Sequence, residues 1–111
     1  MFHMLSCFNL KAGEEIGDFR AARADSLATM KSIDLVEDAG PIGRRQSDTP
    51  MDTDAERDHE YFVVMSFRDR AQVGAAYAYI KGHVEPGETS HNGVYGKVED
   101  GAVFICWQDL T

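Results

Sequence analysis

The sequence of 111 residues predicts an α+β fold with the element order β-α-β-β-α-β, an antiparallel sheet and both helices on one face. Two observations lead to this expectation. Strand and helix signals alternate along the chain as two successive strand-helix-strand units. In addition, residues 59–82 contain a buried-strand pattern that runs directly into a helix with recognisable ends. With 43% hydrophobic residues, the chain is expected to form one domain over residues 1–111.

The strand-helix unit is the strongest local signal. Residues 61–65 (YFVVM) are apolar on both strand faces, so both faces are expected to be covered. Asp69 and Gln72 form a D-x-x-Q capping box that starts the helix, and Gly82 ends it. The helix is predicted to bury one stripe of side chains, which contains Val73, Ala76, Tyr77 and Ile80.

The first half of the chain supplies the other strand-helix-strand unit. Residues 2–10 alternate as a strand, and residues 14–31 form a helix with Arg23 largely outside its apolar stripe. That stripe consists of Ile16, Phe19, Ala22, Leu27 and Met30. Residues 33–46 read as an interrupted strand, and the Gly40-Pro41 pair within it indicates an edge position or a bulge.

The remaining segments are loops and a hairpin. Residues 47–58 are polar and acidic; they lack the glycine and glutamate of a calcium-binding loop, which favours a solvated loop. Residues 83–93 are predicted to be a second loop. Residues 94–98 and 102–107 are predicted to be strands joined by a turn at 99–101.

Composition excludes several classes of function. The formal net charge is −8 and disfavours binding to nucleic acid or to anionic membranes. No apolar stretch reaches the ~20 residues of a membrane span, and the N-terminus lacks a signal-peptide pattern, so a cytoplasmic protein is expected. Cys7 and Cys106 lie on neighbouring predicted strands, either as buried thiols or as a disulfide under oxidation. No nucleotide, hydrolase or metal motif occurs, so neither a cofactor nor a metal is expected.

The element order specifies a ferredoxin-like fold, and the chain resembles the dimeric α+β barrel superfamily. The resemblance extends over the opening strand 2–10, the junction Phe67-Arg68-Asp69 and the closing strand 102–110. Small uncharacterised bacterial proteins are the most similar members, and His3 and Lys11 loosely match the stress-responsive A/B barrel type. The resemblance implies a pocket between helices and sheet in each protomer. A homodimer is expected through the open sheet face, which is too apolar to face water.

Several residues are candidates for a site in such a pocket. His3, His59 and His83 are candidate catalytic residues, although a packed strand histidine and exposed surface histidines are the simpler interpretations. The candidate ligand-binding residues are Arg45, Tyr61 and Trp107. Arg45 could bind an acidic molecule or form a salt bridge with the acidic loop, and Trp107 could line the pocket or the dimer interface.

Three functions remain compatible with these residues. The first is binding of a small organic ligand between the helices and the sheet. The second is a cofactor-independent monooxygenase or isomerase that deprotonates a small aromatic or polyketide-like substrate with a positioned base. The third is docking of another protein on a sheet edge or on the acidic loop.

Overall fold

The computed structural model describes residues 1–83, 85 and 87–110. The described residues form an antiparallel five-stranded sheet and three helices. In chain order the elements are β1 (Phe2–Phe8), α1 (Ile16–Ser32), β2 (Asp38–Ala39), β3 (Gly43–Arg44), β4 (Tyr61–Phe67), α2 (Arg70–Lys81), α3 (Gly87–Tyr95) and β5 (Val103–Gln108). The predicted α+β class with an antiparallel sheet is confirmed.

The sheet has the order β2-β4-β1-β5, with β3 also paired to β4. The central strand β1 pairs Phe2 with Phe67 on one side and with Gln108 on the other. The interrupted strand lies at an edge, as predicted, and consists of two short pieces on either side of Pro41. Proline cannot donate a ladder hydrogen bond, which explains both the break and the edge position.

The capped junction between β4 and α2 is also confirmed. The Asp69 side chain accepts a hydrogen bond from the Gln72 backbone N–H at 2.9 Å. The Gln72 side chain accepts one from the Arg68 N–H at 2.7 Å, one residue earlier than a standard capping box. Gln72 is buried, so this local hydrogen bonding fixes the angle at which α2 leaves the sheet.

The prediction for residues 83–98 is wrong. Instead of a loop and a strand, most of this segment forms the helix α3, and Val98 makes an isolated bridge to Leu10. Val94 and Val98 are buried against Phe8 in the core. Their four-residue spacing fits one face of a helix as well as one face of a strand, so tertiary packing decided between them. Part of the predicted loop, Val84 and Pro86, lies outside the described residues.

The core occupies the helix side of the sheet in two clusters. The first contains Phe8, Phe19, Tyr61, Val63, Val94 and Val98. The second contains Phe2, Met30, Val36, Phe67 and Ala76. The α2 stripe is correct except at Tyr77, which is 66% exposed rather than packed inside.

The opposite side of the sheet, which we call the open face, carries His3, Leu5, Val64, Ser66, Ile105 and Trp107. Ile105 and Trp107 are 44% and 42% exposed.

Cys7 and Cys106 are both free thiols, and the strand register places them on opposite faces of the sheet. A disulfide within one protomer is therefore ruled out by geometry. No helix among the described residues has the length and apolarity needed to cross a bilayer.

Candidate functional site

A cavity of about 850 Å³ lies between the helices and the sheet; we call it the helix-side cavity. Its floor consists of alternate residues of three strands, namely Phe2, Met4, Met65, Phe67, Phe104 and Cys106. This composition follows from the strand period of two, because Met4 is in register with both Met65 and Cys106. A volume of this size accommodates an organic ligand with several rings.

The walls of the cavity come from all three helices. The helix α1 contributes Ser26, Thr29 and Met30, α3 contributes His91 and Tyr95, and α2 contributes six residues between Arg70 and Ile80. The cavity opens to solvent beside Gly74 and Tyr77 of α2 and above Phe104, which is 48% exposed. The apolar residues that the sequence predicted for the core therefore surround a space instead of filling it completely.

Two polar rings of α3 face the cavity. The rings of His91 and Tyr95 lie 4.6 Å apart, and Tyr95 also approaches Phe104 at 6.1 Å between ring centres. Burial lowers the pKa of His91 below its usual 6.5, so the imidazole is neutral at pH 7. Burial raises the pKa of Tyr95 above its usual 10.0, so the phenol keeps its proton and remains a hydrogen-bond donor.

A smaller recess of about 30 Å³ adjoins the helix-side cavity and shares Ser26, Met65 and Tyr95 with it. We call this recess the polar niche, after its polar side chains Ser6, Arg23, Ser26 and Tyr95. Its volume holds one or two oxygen atoms the size of water. The niche lies beside the middle of α1, next to the buried ring of Phe19.

The polar groups of the niche are incompletely paired. Ser6 is 2% exposed, and its Oγ has no hydrogen-bond partner of ordinary geometry among the described residues. The Ser6 hydroxyl is nonetheless near enough to the Tyr95 phenol to oppose the rise in its pKa. Arg23 donates to the Gly40 carbonyl at 2.8 Å, and burial lowers the pKa of its guanidinium. Arginine remains charged at neutral pH despite that shift.

The candidate residues His3 and Trp107 lie together on the open face, outside the helix-side cavity. Their rings are 5.1 Å apart. The His3 Nδ1 atom bonds to Ser66 Oγ at 2.7 Å and Nε2 bonds to Asp109 at 3.0 Å. Both ring nitrogens are therefore already engaged. The hydrogen bond from His3 lowers the pKa of Asp109.

The candidates His59, His83 and Tyr61 are separated from one another. His59 is buried, and its Nε2–H donates to the Gly101 carbonyl at 2.8 Å. His83 is exposed and bonds to Glu88 at 3.1 Å. Tyr61 is buried in the core, where its hydroxyl accepts a hydrogen bond from Arg44 at 3.3 Å. None of these three side chains lines the helix-side cavity.

The candidate Arg45 forms the salt bridge that was the simpler interpretation of the arginine pair. Its Nε and Nη2 atoms donate to the two Asp52 carboxylate oxygens, each at 2.8 Å. It also donates to the Asp54 and Arg57 carbonyls and thereby holds the acidic loop together. Hydrogen bonds from the Glu56 N–H, then from Arg57, lower the pKa of Asp54 to about 2. Within the described chain, no three His, Cys, Asp or Glu side chains are arranged to hold a metal ion.

Sequence reasoning therefore missed the polar residues of the cavity. It placed His91 in the predicted loop of residues 83–93 and left Arg23 largely outside the apolar stripe of α1. One signal for Arg23 was present in the sequence. Arg23 lies four residues from both Phe19 and Leu27 of the apolar stripe, and the aliphatic part of an arginine side chain packs readily against apolar neighbours. His91 could be placed only once α3 was known to be a helix.

Comparison with known proteins supports the fold. No protein-family model matches the sequence, and no curated protein is significantly similar to it. A solved structure from Arabidopsis thaliana matches with a TM-score of 0.74 and 10% identity, covering 100% of this chain and 97% of that one. The chain is thus similar to a plant protein as well as to the bacterial proteins below.

Two bacterial structures are similar over nearly their whole length. A variant of SnoaB, a cofactor-independent oxygenase from Streptomyces nogalater, matches with a TM-score of 0.67 and 9% identity, covering 99% of this chain and 93% of that one. A dimeric ferredoxin-like protein of unknown function from Jannaschia matches with a TM-score of 0.66 and 12% identity, covering 97% and 98%. The ferredoxin-like fold and the resemblance to dimeric α+β barrel proteins are confirmed.

Proposed function

We propose that the protein binds a small apolar molecule with several rings in the helix-side cavity. The observation that carries this proposal is a volume of about 850 Å³ lined mainly by apolar and aromatic side chains, with a few polar side chains among them. Ligand sites commonly have this size and composition. Phe104 and Tyr95 provide aromatic surfaces against which a flat ring system can pack.

Fluorescence titration with a flat neutral probe tests this proposal. An anthracene that carries one carboxamide on its terminal ring should bind with saturation at one site per chain. Gly74→Trp should abolish that binding, because Gly74 lines the exposed side of the cavity and a Cβ atom there would meet no atom within 4 Å, so the indole can be accommodated and can fill the mouth. The control is Gly17→Trp, at an exposed glycine of α1 that is outside the cavity and equally unobstructed. Equal binding by both variants would disprove the proposed site.

Cofactor-independent oxygenation is the second candidate function, and His91 favours it. A neutral imidazole inside the cavity can accept a proton from an acidic C–H group of a bound ligand. The resulting carbanion can then reduce O₂ directly. SnoaB, which shares the fold, is a cofactor-independent oxygenase. The isomerase alternative needs the same proton transfer but no oxygen.

Oxygen uptake distinguishes these alternatives. Anthrone, a tricyclic ketone with an acidic C–H group, is the probe, and a chelator is present throughout. His91→Asn should reduce any uptake by about 100-fold or more, as expected for loss of a general base. His83→Asn, at an exposed histidine outside the cavity, is the matched control and should leave uptake unchanged. No uptake by the unaltered protein would reject the oxygenase function while leaving ligand binding in place.

We further propose that the protein is a homodimer joined through the open face. The apolar side chains of Leu5, Val64, Ile105 and Trp107 support this, because a patch of this kind is usually covered. The dimeric state of the Jannaschia protein, which has the same fold, agrees with it. A cytoplasmic location and a bacterial origin stay predictions.

A further inference from the structure

The helix-side cavity and the polar niche differ in charge from the rest of the molecule. The whole chain has 19 acidic residues and 11 Lys and Arg residues. Among the described lining residues, however, there is no carboxylate, whereas Arg23, Arg70 and His91 are present. The two adjoining spaces, which share Ser26, Met65 and Tyr95, are therefore electrostatically suited to an anion.

Arg23 is the charged side chain that lines the polar niche. Its guanidinium has the Gly40 carbonyl as a neutral partner, and none of the ion pairs found among the described residues includes Arg23. By contrast, Arg45 and Arg68 each bind carboxylates directly. A partly buried cation without a counter-ion is costly, and an incoming anion removes that cost. Arg23 thus has unused capacity for an ionic partner.

The hydroxyl groups of the niche complete a set of donors. Ser6 Oγ is buried, lines the niche and has no hydrogen-bond partner of ordinary geometry among the described residues, although it lies near the Tyr95 phenol. The Tyr95 phenol keeps its proton at neutral pH and lines both spaces. An oxygen atom in the niche would therefore meet a guanidinium and two O–H donors.

We propose that the ligand is an apolar ring compound that carries one carboxylate, and that this carboxylate binds in the polar niche. The carboxylate pairs with Arg23 and accepts hydrogen bonds from Ser6 and Tyr95, while the rings lie in the helix-side cavity. The recess of about 30 Å³ has space for one or two oxygen atoms, which suits a carboxylate better than a bulkier phosphate or sulfate. This inference rests on the proposed ligand-binding function and specifies the ligand class.

Three probes of one shape test the inference on the unaltered protein. They are anthracenes that carry a carboxylate, a carboxamide or an aminomethyl group on the terminal ring, titrated by fluorescence at pH 7. The carboxylate should bind about tenfold or more tighter than the carboxamide, the factor expected for a charged hydrogen-bonded pair, and the aminomethyl cation should bind weakest. Equal affinities for carboxylate and carboxamide, or a preference for the cation, would overturn the inference and leave the cavity proposal intact. No binding by any probe would reject both.

Variants at Arg23 test whether this residue causes the preference for the carboxylate probe over the carboxamide probe. Arg23→Gln should weaken carboxylate binding about tenfold or more and change carboxamide binding less than about threefold. Arg23→Lys should restore part of the preference, because the charge is kept while the planar fork is lost. Arg70→Gln, at an arginine that lines the cavity outside the niche, is the matched control and should have a smaller effect. If Arg70→Gln removes the preference and Arg23→Gln does not, the carboxylate site is not the niche.

Discussion

The two faces of the sheet satisfy their polar groups in different ways. On the open face, His3 bonds through both ring nitrogens, to Ser66 and to Asp109, and the apolar residues Ile105 and Trp107 are exposed. On the helix side, Ser6 and Arg23 retain unused hydrogen-bonding capacity next to a cavity. A flat apolar face whose polar groups are already paired suits another protein surface. An enclosed space with unpaired donors suits a small polar-ended ligand.

The first prediction compares packing on the two faces. Phe19→Ala on the helix side should destabilise the protein by about 3–5 kcal/mol, because it leaves a hole in the core cluster. Trp107→Ala on the open face should cost less than about 1 kcal/mol when the protein is diluted to the monomer, since the side chain is 42% exposed. Urea unfolding measures both. A larger loss for Trp107→Ala at low protein concentration would reverse this assignment of core and surface.

The second prediction separates association from ligand binding within one strand. Ile105→Asp places a charge on the open face and should convert the proposed dimer into a folded monomer. Phe104→Asp, at the preceding residue with similar exposure but on the cavity side, should keep the dimer. It should also weaken binding of the anthracene carboxylate, because it introduces a like charge into the cavity.

Light scattering and circular dichroism report the mass and the fold of both variants. A monomeric unaltered protein at micromolar concentration would contradict the dimer. Loss of the dimer by Phe104→Asp alone would place the interface on the cavity side.

The third prediction uses one matched substitution on each face. Ser66→Ala should destabilise the protein by about 0.5–1.5 kcal/mol, because His3 loses a hydrogen-bond partner. Ser6→Ala should be neutral or slightly stabilising without ligand, because the hydroxyl that it removes has no ordinary partner among the described residues. Thermal unfolding measures whether each substitution lowers or raises the stability of the protein. A clear destabilisation by Ser6→Ala would indicate that this hydroxyl is already satisfied within the protein.

The fourth prediction concerns pH and has the smallest expected effect. Because the folded-state pKa of His91 lies below 6.5, the unfolded chain binds more protons between these two values. The contribution of His91 to stability is therefore complete above pH 6.5 and decreases as pH falls through the lowered pKa. His91→Asn should flatten this part of the stability curve, whereas His83→Asn should leave it unchanged. Identical curves for His91→Asn and the unaltered protein would refute the neutral buried imidazole.

Much of the fold could be predicted because its signals are local. The capping residues Asp69 and Gln72 are three positions apart in the sequence. Pro41 cannot donate a ladder hydrogen bond in any strand, so its effect can be predicted without knowing the neighbouring strands. The candidate site was less accessible. Arg45 looked like an anion-binding residue until Asp52, seven positions away, was found to pair with it. His91 looked solvated because its segment resembled a loop. Each of these assignments depends on a partner or a helix that the local pattern does not identify.

The sequence by itself determined the β4-α2 junction, the edge position of the broken strand and the apolar character of both sheet faces. These properties depend on periodicity and capping within a few residues. Only the tertiary structure decided that residues 87–95 form a helix and that Ser6, Arg23 and Tyr95 meet around one recess. These three residues come from a strand and two helices that are far apart in the chain. Their meeting depends on how the elements pack, and no local pattern encodes that packing.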